Sequence, residues 1–190
     1  MVGLTTPYAC GNQSRSKSRI LKKCGCGVVA LGDLVLHLSG ETAADRDGFF
    51  RMLLRRYLPI VPPFGTTGVH VAAAFNRWCR HHRLPYRAVW NFFRENLYSR
   101  MEEMLRENIP VILSIGPGMF RRLQLYRRCG KLHFPVCRVR GHFVTVTGLD
   151  ERWIRVVSWG RVYYICRKDY EEYGKRSAFL TSNILYVKKT

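Results

Sequence analysis

The sequence predicts one α+β domain, in which helices occupy residues 26–108 and antiparallel strands occupy most of residues 109–190. In the first part, apolar side chains recur at three- and four-residue spacing, which is the period of an α-helix. In the second part, short apolar or alternating runs are bounded by glycine, as strands are. Helices followed by strands are typical of the α+β class. A length of 190 residues suits one domain with a sizeable core.

Residues 1–24 are predicted to form an irregular and basic lead-in, because this segment is rich in serine, glycine and lysine or arginine. The first helix is predicted from Cys26 to Leu38. Apolar residues occupy nearly all of its sides, so we expect it to lie inside the core rather than on the surface. The pair Ser39-Gly40 ends it.

The same spacing predicts three more helices, Asp45–Tyr57, Thr66–His82 and Trp90–Asn108. Pro59 stops the first of these, because proline cannot continue a helix. Either Thr66 or Thr67 is expected to cap the start of the second. The side chains that this second helix is predicted to bury are Val69, Ala73 and Trp78.

The strands begin after residue 109. A short apolar run, Pro110–Ile115, is followed by a predicted turn at residues 116–118, Gly-Pro-Gly. A short helix is expected around Lys168–Tyr173. The remaining strands are predicted at His142–Thr147, Trp153–Ser158, Arg161–Arg167 and Asn183–Val187.

The charge of the chain is strongly positive. Lysine and arginine number 32 against 13 acidic residues, which gives a net charge of +19. Such an excess favours an acidic partner: an acidic polypeptide, an anionic lipid surface or a nucleic acid. The basic residues are scattered over five segments instead of clustering on one element, which argues against a nucleic-acid interface without excluding it.

The seven cysteines are an odd number, and no signal peptide precedes them, so free thiols and a cytoplasmic location are predicted. The longest apolar stretch, Val28–Leu38, is too short to span a bilayer, so no transmembrane segment is expected. Cys24 and Cys26 are separated by one residue, whereas zinc-binding pairs are usually separated by two to four. Neither a metal nor a nucleotide cofactor is predicted.

Cys26 and His142 are the candidate catalytic residues. Cys26 lies at the start of the first helix, where the partial positive charge of the helix N-terminus lowers the pKa of a thiol. His142 begins an alternating strand and could supply the base from a distant part of the sequence. A lone cysteine at the start of an apolar helix is, however, often only a small buried side chain. Three other histidines lie near helix C-termini, where a positive charge is favourable, and this position explains their presence: His37, His81 and His82.

Three segments together resemble papain-like cysteine peptidases, and most closely the bacterial branch that includes bacteriocin-processing (double-glycine leader) peptidases. Cys26 between two glycines, followed by an apolar stretch, resembles the nucleophile segment. His142, which leads a strand that ends at Gly148, resembles the histidine segment. Residues 156–160, Val-Val-Ser-Trp-Gly, are similar to the segment that supplies the third catalytic residue. The resemblance implies a papain-like fold in which the nucleophile helix packs on a C-terminal antiparallel sheet.

The sequence departs from this family at two positions. The orienting Asn or Asp aligns with Val157, which accepts no hydrogen bond, so Ser158 or Asp150 is the candidate replacement. Because neighbouring strand residues face opposite sides, Ser158 needs a bulge or a one-residue slip to take this role. The glutamine that donates to the oxyanion in the family aligns with Ile20. Gln13 is the candidate donor here if the basic stretch Ser14–Lys23 forms a looped insertion.

Two functions follow from these observations. The first is a cysteine peptidase-like hydrolase that cleaves a peptide or amide bond in a peptide or protein substrate through Cys26 and His142. The second is a catalytically weak or inactive papain-like scaffold, whose basic surface binds an acidic partner. The missing Asn or Asp and the net charge of +19 favour the second function.

Overall fold

A nine-stranded antiparallel sheet forms the centre of the structure. The structure is a computed structural model that describes residues 1–60, 65–92, 96–117, 121–177 and 182–190. The nine strands are β1 (Val2–Gly3), β2 (Tyr86–Trp90), β3 (Val111–Ile115), β4 (Leu123–Cys129), β5 (Leu132–Val139), β6 (His142–Leu149), β7 (Trp153–Ser158), β8 (Arg161–Cys166) and β9 (Ile184–Lys189).

Six α-helices and one short 3-10 helix accompany the sheet in the described part of the chain. The 3-10 helix spans Gln13–Arg15. The α-helices are α1 (Arg19–Cys24), α2 (Cys26–Ser39), α3 (Arg46–Arg56), α4 (Gly68–His82), α5 (Leu97–Arg106) and α6 (Arg167–Ser177). None of these helices has both the length and the apolar character that crossing a membrane requires.

Strand β6 lies in the middle of the sheet, whose strand order is β2-β9-β3-β6-β7-β8-β4-β5. All eight residues of β6 are buried, and the short β1 pairs with its far end. Helix α2 packs against β6 and is buried from Gly27 to Leu36, so the nearly all-apolar sequence of this helix matches its place in the core. The first residues of α2 and of β6 are therefore brought to one region of the molecule.

The predicted α+β class is confirmed, and most predicted elements lie within a few residues of their observed bounds. Thr67 is the observed cap of α4, because its side chain accepts from the His70 N–H. On α4, Trp78 is buried as predicted, whereas Val69 and Ala73 are exposed.

The helix predicted over Trp90–Asn108 is wrong at its start. Trp90 belongs to β2, which pairs with β9, and the helix begins only at Leu97. In β2 the buried side chains are Ala88 and Trp90, which is the period of two that a strand gives. Residues 93–95 of the predicted helix, and Gly118 of the predicted turn, lie outside the described residues.

The lead-in predicted to be irregular contains regular structure. The side chain of Ser18 accepts from the Leu21 N–H and caps α1, which ends just before Gly25. The sequence reading missed α1 because its residues are mostly exposed and basic, with Leu21 as the buried anchor. The stretch between Gln13 and Cys26 is thus two short helices joined at residues 16–18, rather than one irregular loop.

Candidate active site

Cys26 is the first residue of α2, and the connection from α1 fixes it there. Gly25 separates the two helices, and its N–H donates to the Leu21 carbonyl at 2.9 Å. A Cβ at Gly25 would collide with the Leu21 backbone, so this tight connection requires glycine. The half-buried Cys26 side chain consequently starts a rigid, buried helix.

Burial raises the pKa of the Cys26 thiol. Three backbone amides, those of Phe143, Gly27 and Cys26 itself, oppose this effect because they favour the thiolate. An amide acts on a thiolate only at short range, so the sulfur lies beside the residue that follows His142. The balance leaves the thiol protonated near neutral pH.

His142 is buried and has two close partners. Its Nε2 lies 2.8 Å from Ser158 Oγ, and its ring stacks on Trp159 with 4.4 Å between ring centroids. Burial lowers the pKa of His142 to about 4, so the imidazole is neutral at pH 7. Among the described residues, no hydrogen bond joins the Cys26 thiol to this imidazole. Both groups are uncharged in this arrangement.

A bulge in β6 changes its register against β7. On one side of Thr147, Val146 pairs with Val156, and on the other side Gly148 pairs with Arg155. Thr147 is therefore the extra residue. Its carbonyl accepts from Arg155 Nη2 at 2.6 Å, and its hydroxyl oxygen lies 3.2 Å from Arg155 Nε. One arginine thus holds the bulge closed.

The bulge decides which residue of β7 shares a face with His142. Thr145 pairs with Val157, so the next pair in register places Ser158 opposite Val144, two residues along β6 from His142. Residues two apart on a strand face the same side. Without the extra residue, Ser158 would lie opposite Thr145, on the other face. The bulge that Ser158 needs in order to reach His142 is present.

The turn between β7 and β8 sets the position of Trp159. Ser158 pairs with Arg161, which leaves Trp159 and Gly160 as a two-residue loop. Both have positive φ values, 50° and 70°, as a type I′ turn requires. A bulky residue in this left-handed region is strained, and tryptophan is rare there. The strained conformation is what lays the indole ring over His142.

Residues 8–13, here called the N-terminal strap, cross from α2 to this turn. The Gly11 N–H donates to Asp33 Oδ2 at 2.7 Å, and the Gly11 carbonyl accepts from the Gly160 N–H at 3.1 Å. A Cβ at Gly11 would lie 2.6 Å from the Phe50 ring, so the strap approaches the helices closely only because this residue is glycine.

The strap ends at Gln13, the predicted oxyanion donor. The Gln13 side-chain amide donates to the Lys22 carbonyl at 3.3 Å. This bond uses one of the two N–H groups of the amide and ties Gln13 to α1. Gln13 is half-buried and lines the same cavity as Cys26.

Asp33 is a residue of this region that the sequence analysis missed. It is 2% exposed and forms an ion pair with Arg46 at 3.0 Å. Burial raises the pKa of Asp33 to about 7, although the Gly11 amide and the Arg46 guanidinium both lower it. The available clue was that Asp33 is the one acidic residue of the apolar helix α2, seven residues after Cys26 and so on the same side.

A narrow cavity joins these side chains. Its volume is about 10 Å³, roughly the space that one water molecule needs. The candidate residues that line it are Cys26, Gln13 and Ser158, together with Cys10, Asp33, Phe143, Val157 and Trp159. His142 lies behind this wall, in contact with Ser158 and Trp159.

One other candidate residue does not contact His142. Asp150, the alternative to Ser158, accepts from the backbone N–H groups of Arg152 and Trp153 at the opposite end of β6, so it does not reach His142. Among the described residues, no group of three His, Cys, Asp or Glu side chains is arranged to hold a metal ion.

Comparison with known proteins gives a match in structure. No family model matches the sequence, and no curated protein matches it. The crystal structure of a candidate C39-like peptidase from Bacillus anthracis is similar, with a TM-score of 0.56 and 13% identity. The likeness covers 100% of this chain and 98% of that chain. At this identity it shows the fold: the chain has the α+β fold of a C39-like peptidase, consistent with the papain-like class.

Proposed function

We propose that this protein is a cysteine peptidase-like hydrolase that cleaves a peptide or amide bond, of the kind that includes the bacteriocin-processing peptidases. The observation that carries the proposal is the shared cavity: Cys26 at the start of α2 lines it together with Ser158, which bonds His142. We further propose the cytoplasm as its compartment, because the structure joins none of the seven cysteines in a disulfide.

The proposed reaction begins with the Cys26 sulfur. Sγ attacks the substrate carbonyl carbon, the thiol proton passes to His142, and His142 then gives it to the leaving amine. The resulting thioester is hydrolysed by water, which releases a carboxylic acid and restores the thiol. In the proposed reaction His142 has the tautomer whose Nε2 donates to Ser158 Oγ, 2.8 Å away, which leaves Nδ1 to accept the thiol proton.

The oxyanion formed by this attack needs hydrogen-bond donors. The Cys26 N–H at the helix N-terminus is one, and the free N–H of the Gln13 amide is the second. In enzymes that use such a site, loss of one donor costs about 2.7–4 kcal/mol of transition-state stabilisation. Gln13→Ala should therefore lower kcat about 100-fold or more, while a Gln13→Glu variant keeps the side-chain size and removes the donor.

The narrow cavity must widen before a substrate can bind. A space of about 10 Å³ admits no peptide, and the neutral Cys26–His142 arrangement is stabilised by burial. Movement of Trp159 or of the N-terminal strap would admit substrate and water, which would bring both pKa values closer to their ordinary range.

The second candidate function is the inactive scaffold that binds an acidic partner. Specific observations favour it: a serine, Ser158, contacts His142 where the family has Asn or Asp, the pKa of His142 is about 4, and the thiol is protonated. In that case substitution of Cys26 leaves the biological effect of the protein unchanged.

Two cysteines of one cavity allow a matched experiment. We expect the protein to cleave members of a mixed peptide library, with products detected by mass spectrometry, and Cys26→Ser to abolish cleavage. Cys10→Ser is the control, because Cys10 lines the same cavity and takes no part in the proposed reaction. Absence of cleavage by the unmodified protein, or equal cleavage by Cys26→Ser, would favour the scaffold.

A further inference from the structure

A groove lined by arginines lies next to the candidate active site. Its volume is about 850 Å³, within the range of roughly 300–1,000 Å³ that is usual for ligand sites. Residues 4–8 form one wall, and strands β6, β7 and β8 with the β4–β5 turn form the rest. Val157 lines both this groove and the Cys26 cavity, so one side chain separates the two spaces.

Four arginines line the groove: Arg127, Arg128, Arg155 and Arg161. The groove has no acidic side chain in its lining, and none of the four arginines has a carboxylate partner within the described ranges. Arg155 is engaged by Thr147 and Arg128 by the Gly130 carbonyl. Arg127 and Arg161 are exposed and have no described hydrogen-bond partner. Positive charges that line a groove without counter-charges form a site for anionic groups.

The walls between the arginines are apolar. Leu4, Pro7, Val157 and Val162 contribute carbon atoms along the length of the groove, and Val162 is 47% exposed. A concave surface that combines apolar walls with a few charged donors suits a peptide, whose side chains alternate between the two kinds of contact. The guanidinium fork matches the two oxygens of a carboxylate.

We propose that this groove binds an acidic segment of the substrate polypeptide, with Asp or Glu side chains on Arg127 and Arg161. The proposal rests on the proposed function, since the groove would hold the part of the chain next to the scissile bond. The groove is then a surface at which the positive charge of the chain, +19 in total, contributes to substrate binding.

The lining favours a peptide over a single-stranded nucleic acid. Nucleic-acid grooves of this kind depend on exposed aromatic rings on which bases stack. The two aromatic residues in the lining are Tyr8 and Tyr164, and neither is exposed. Tyr8 is instead packed on His37, and its hydroxyl lies 3.5 Å from Thr145 Oγ1.

Binding to a non-cleaving protein tests the proposal directly. In a Cys26→Ala background, fluorescence anisotropy measures binding of a fluorescein-labelled octapeptide with four Glu residues at 0.15 M salt. We expect Arg127→Gln/Arg161→Gln to weaken binding by about tenfold or more, since both exposed guanidinium groups lose their charge-assisted bonds to the Glu carboxylates. The control is Arg55→Gln/Arg80→Gln, which removes the same charge from exposed positions on α3 and α4.

The outcomes separate this proposal from the proposed hydrolase. Equal weakening by both double variants, equal binding of the peptide with Gln in place of Glu, or tighter groove-dependent binding of an oligothymidylate overturns the acidic-peptide site. If the active protein cleaves the Glu and Gln peptides equally well, the hydrolase stands and this inference fails. If binding depends on the groove but the active protein cleaves no peptide, the site stands and the hydrolase fails.

Discussion

Ser158 is the residue through which the position of His142 is controlled. Its hydroxyl oxygen lies 2.8 Å from His142 Nε2, and both side chains are 7% exposed, so no bulk water can replace the bond. A buried polar group that loses its partner costs about 1–3 kcal/mol. In the proposed reaction, Ser158 is therefore a positioning residue that acts through His142.

Removal of this hydroxyl should lower catalysis without abolishing it. We expect Ser158→Ala to reduce kcat about tenfold, equivalent to about 1.4 kcal/mol, because Nε2 is left unpaired and the ring is less well oriented. Ser158→Thr keeps the hydroxyl and should restore most of the rate. The measurement is the pH profile of kcat/KM for both variants. An unchanged profile in Ser158→Ala would mean that the contact is only structural.

The depressed pKa of His142 makes a prediction about stability. An unfolded histidine titrates near its ordinary value of about 6.5, whereas the buried imidazole titrates at about 4. Between pH 4 and pH 6.5 the unfolded chain binds more protons than the folded protein, so the free energy of unfolding rises with pH in this range. The contribution of His142 to stability is therefore lost as the pH falls from 6.5 to 4. The full change is about 3 kcal/mol.

Denaturant unfolding of the protein and of His142→Gln at several pH values measures this contribution. The difference between them should grow from pH 4 to pH 6.5, because the variant lacks the titrating group. Asp33, whose pKa is raised to about 7, acts in the opposite direction in both proteins and cancels in the difference. A pH-independent difference would contradict the burial of a neutral imidazole.

The residues of the site were predictable from sequence to different degrees. Cys26 and His142 are recognisable because each begins an apolar element after a glycine. The contact with Ser158 depends on the bulge at Thr147, and a bulge changes register without a marker in the composition of the strand. Asp33 was missed because its partners, Gly11 and Arg46, come together only through tertiary packing.

At the scale of elements, the bulge in β6 depends on Arg155. The guanidinium donates to the Thr147 carbonyl, which also accepts from the Leu4 N–H. The Thr147 carbonyl thus joins the bulge to residues near the start of the chain. Arg155→Met keeps most of the side-chain length and removes these donors. We expect a loss of about 1.5–3 kcal/mol in the free energy of unfolding, since the lost bonds are charge-assisted.

Trp159 in the β7–β8 turn has two effects that a substitution can separate: its backbone is strained, and its ring covers His142. Asparagine tolerates the left-handed region, so Trp159→Asn should relieve about 1 kcal/mol of strain in the turn. It also removes the ring that covers His142, so the pKa of His142 should rise toward its ordinary value. NMR titration of the imidazole C–H protons measures this. Trp159→Phe retains a ring and should change the pKa less; equal values in all three proteins would argue against shielding by Trp159.

Elements differed in how well the sequence predicted them. Helix α2 and strand β6 are buried on nearly all sides, and their apolar runs leave little ambiguity. The β4–β5 hairpin was not identified because it lies at the edge of the sheet and its residues are largely exposed. Strand β2 was not predicted, and its last residue, Trp90, was assigned to a helix, because its partner β9 is about a hundred residues away in sequence.

At the scale of the whole molecule, the charge of +19 opposes folding by self-repulsion. Among the described residues, the ion pairs are few and mostly exposed, so they offset little of this repulsion. Added NaCl screens it, and we expect the Tm to rise by about 2–4 °C up to about 0.3 M, corresponding to about 1 kcal/mol. Arg55→Gln/Arg80→Gln should show a smaller rise. A Tm that falls with salt would indicate that attractive pairs dominate.

The bond between Gly11 and Gly160 has a consequence for biosynthesis. It joins positions 149 residues apart, and it closes the region around Cys26 with a segment that is translated long after Cys26 itself. Contacts so distant in sequence form late, because the entropy of loop closure must be overcome first. A ribosome-bound chain that ends before β7 would hold α2 and His142 with neither Ser158 nor Trp159 near them. In such a nascent chain the imidazole of His142 lacks the hydroxyl that bonds it and the ring that covers it until β7 and the turn after β7 have been made.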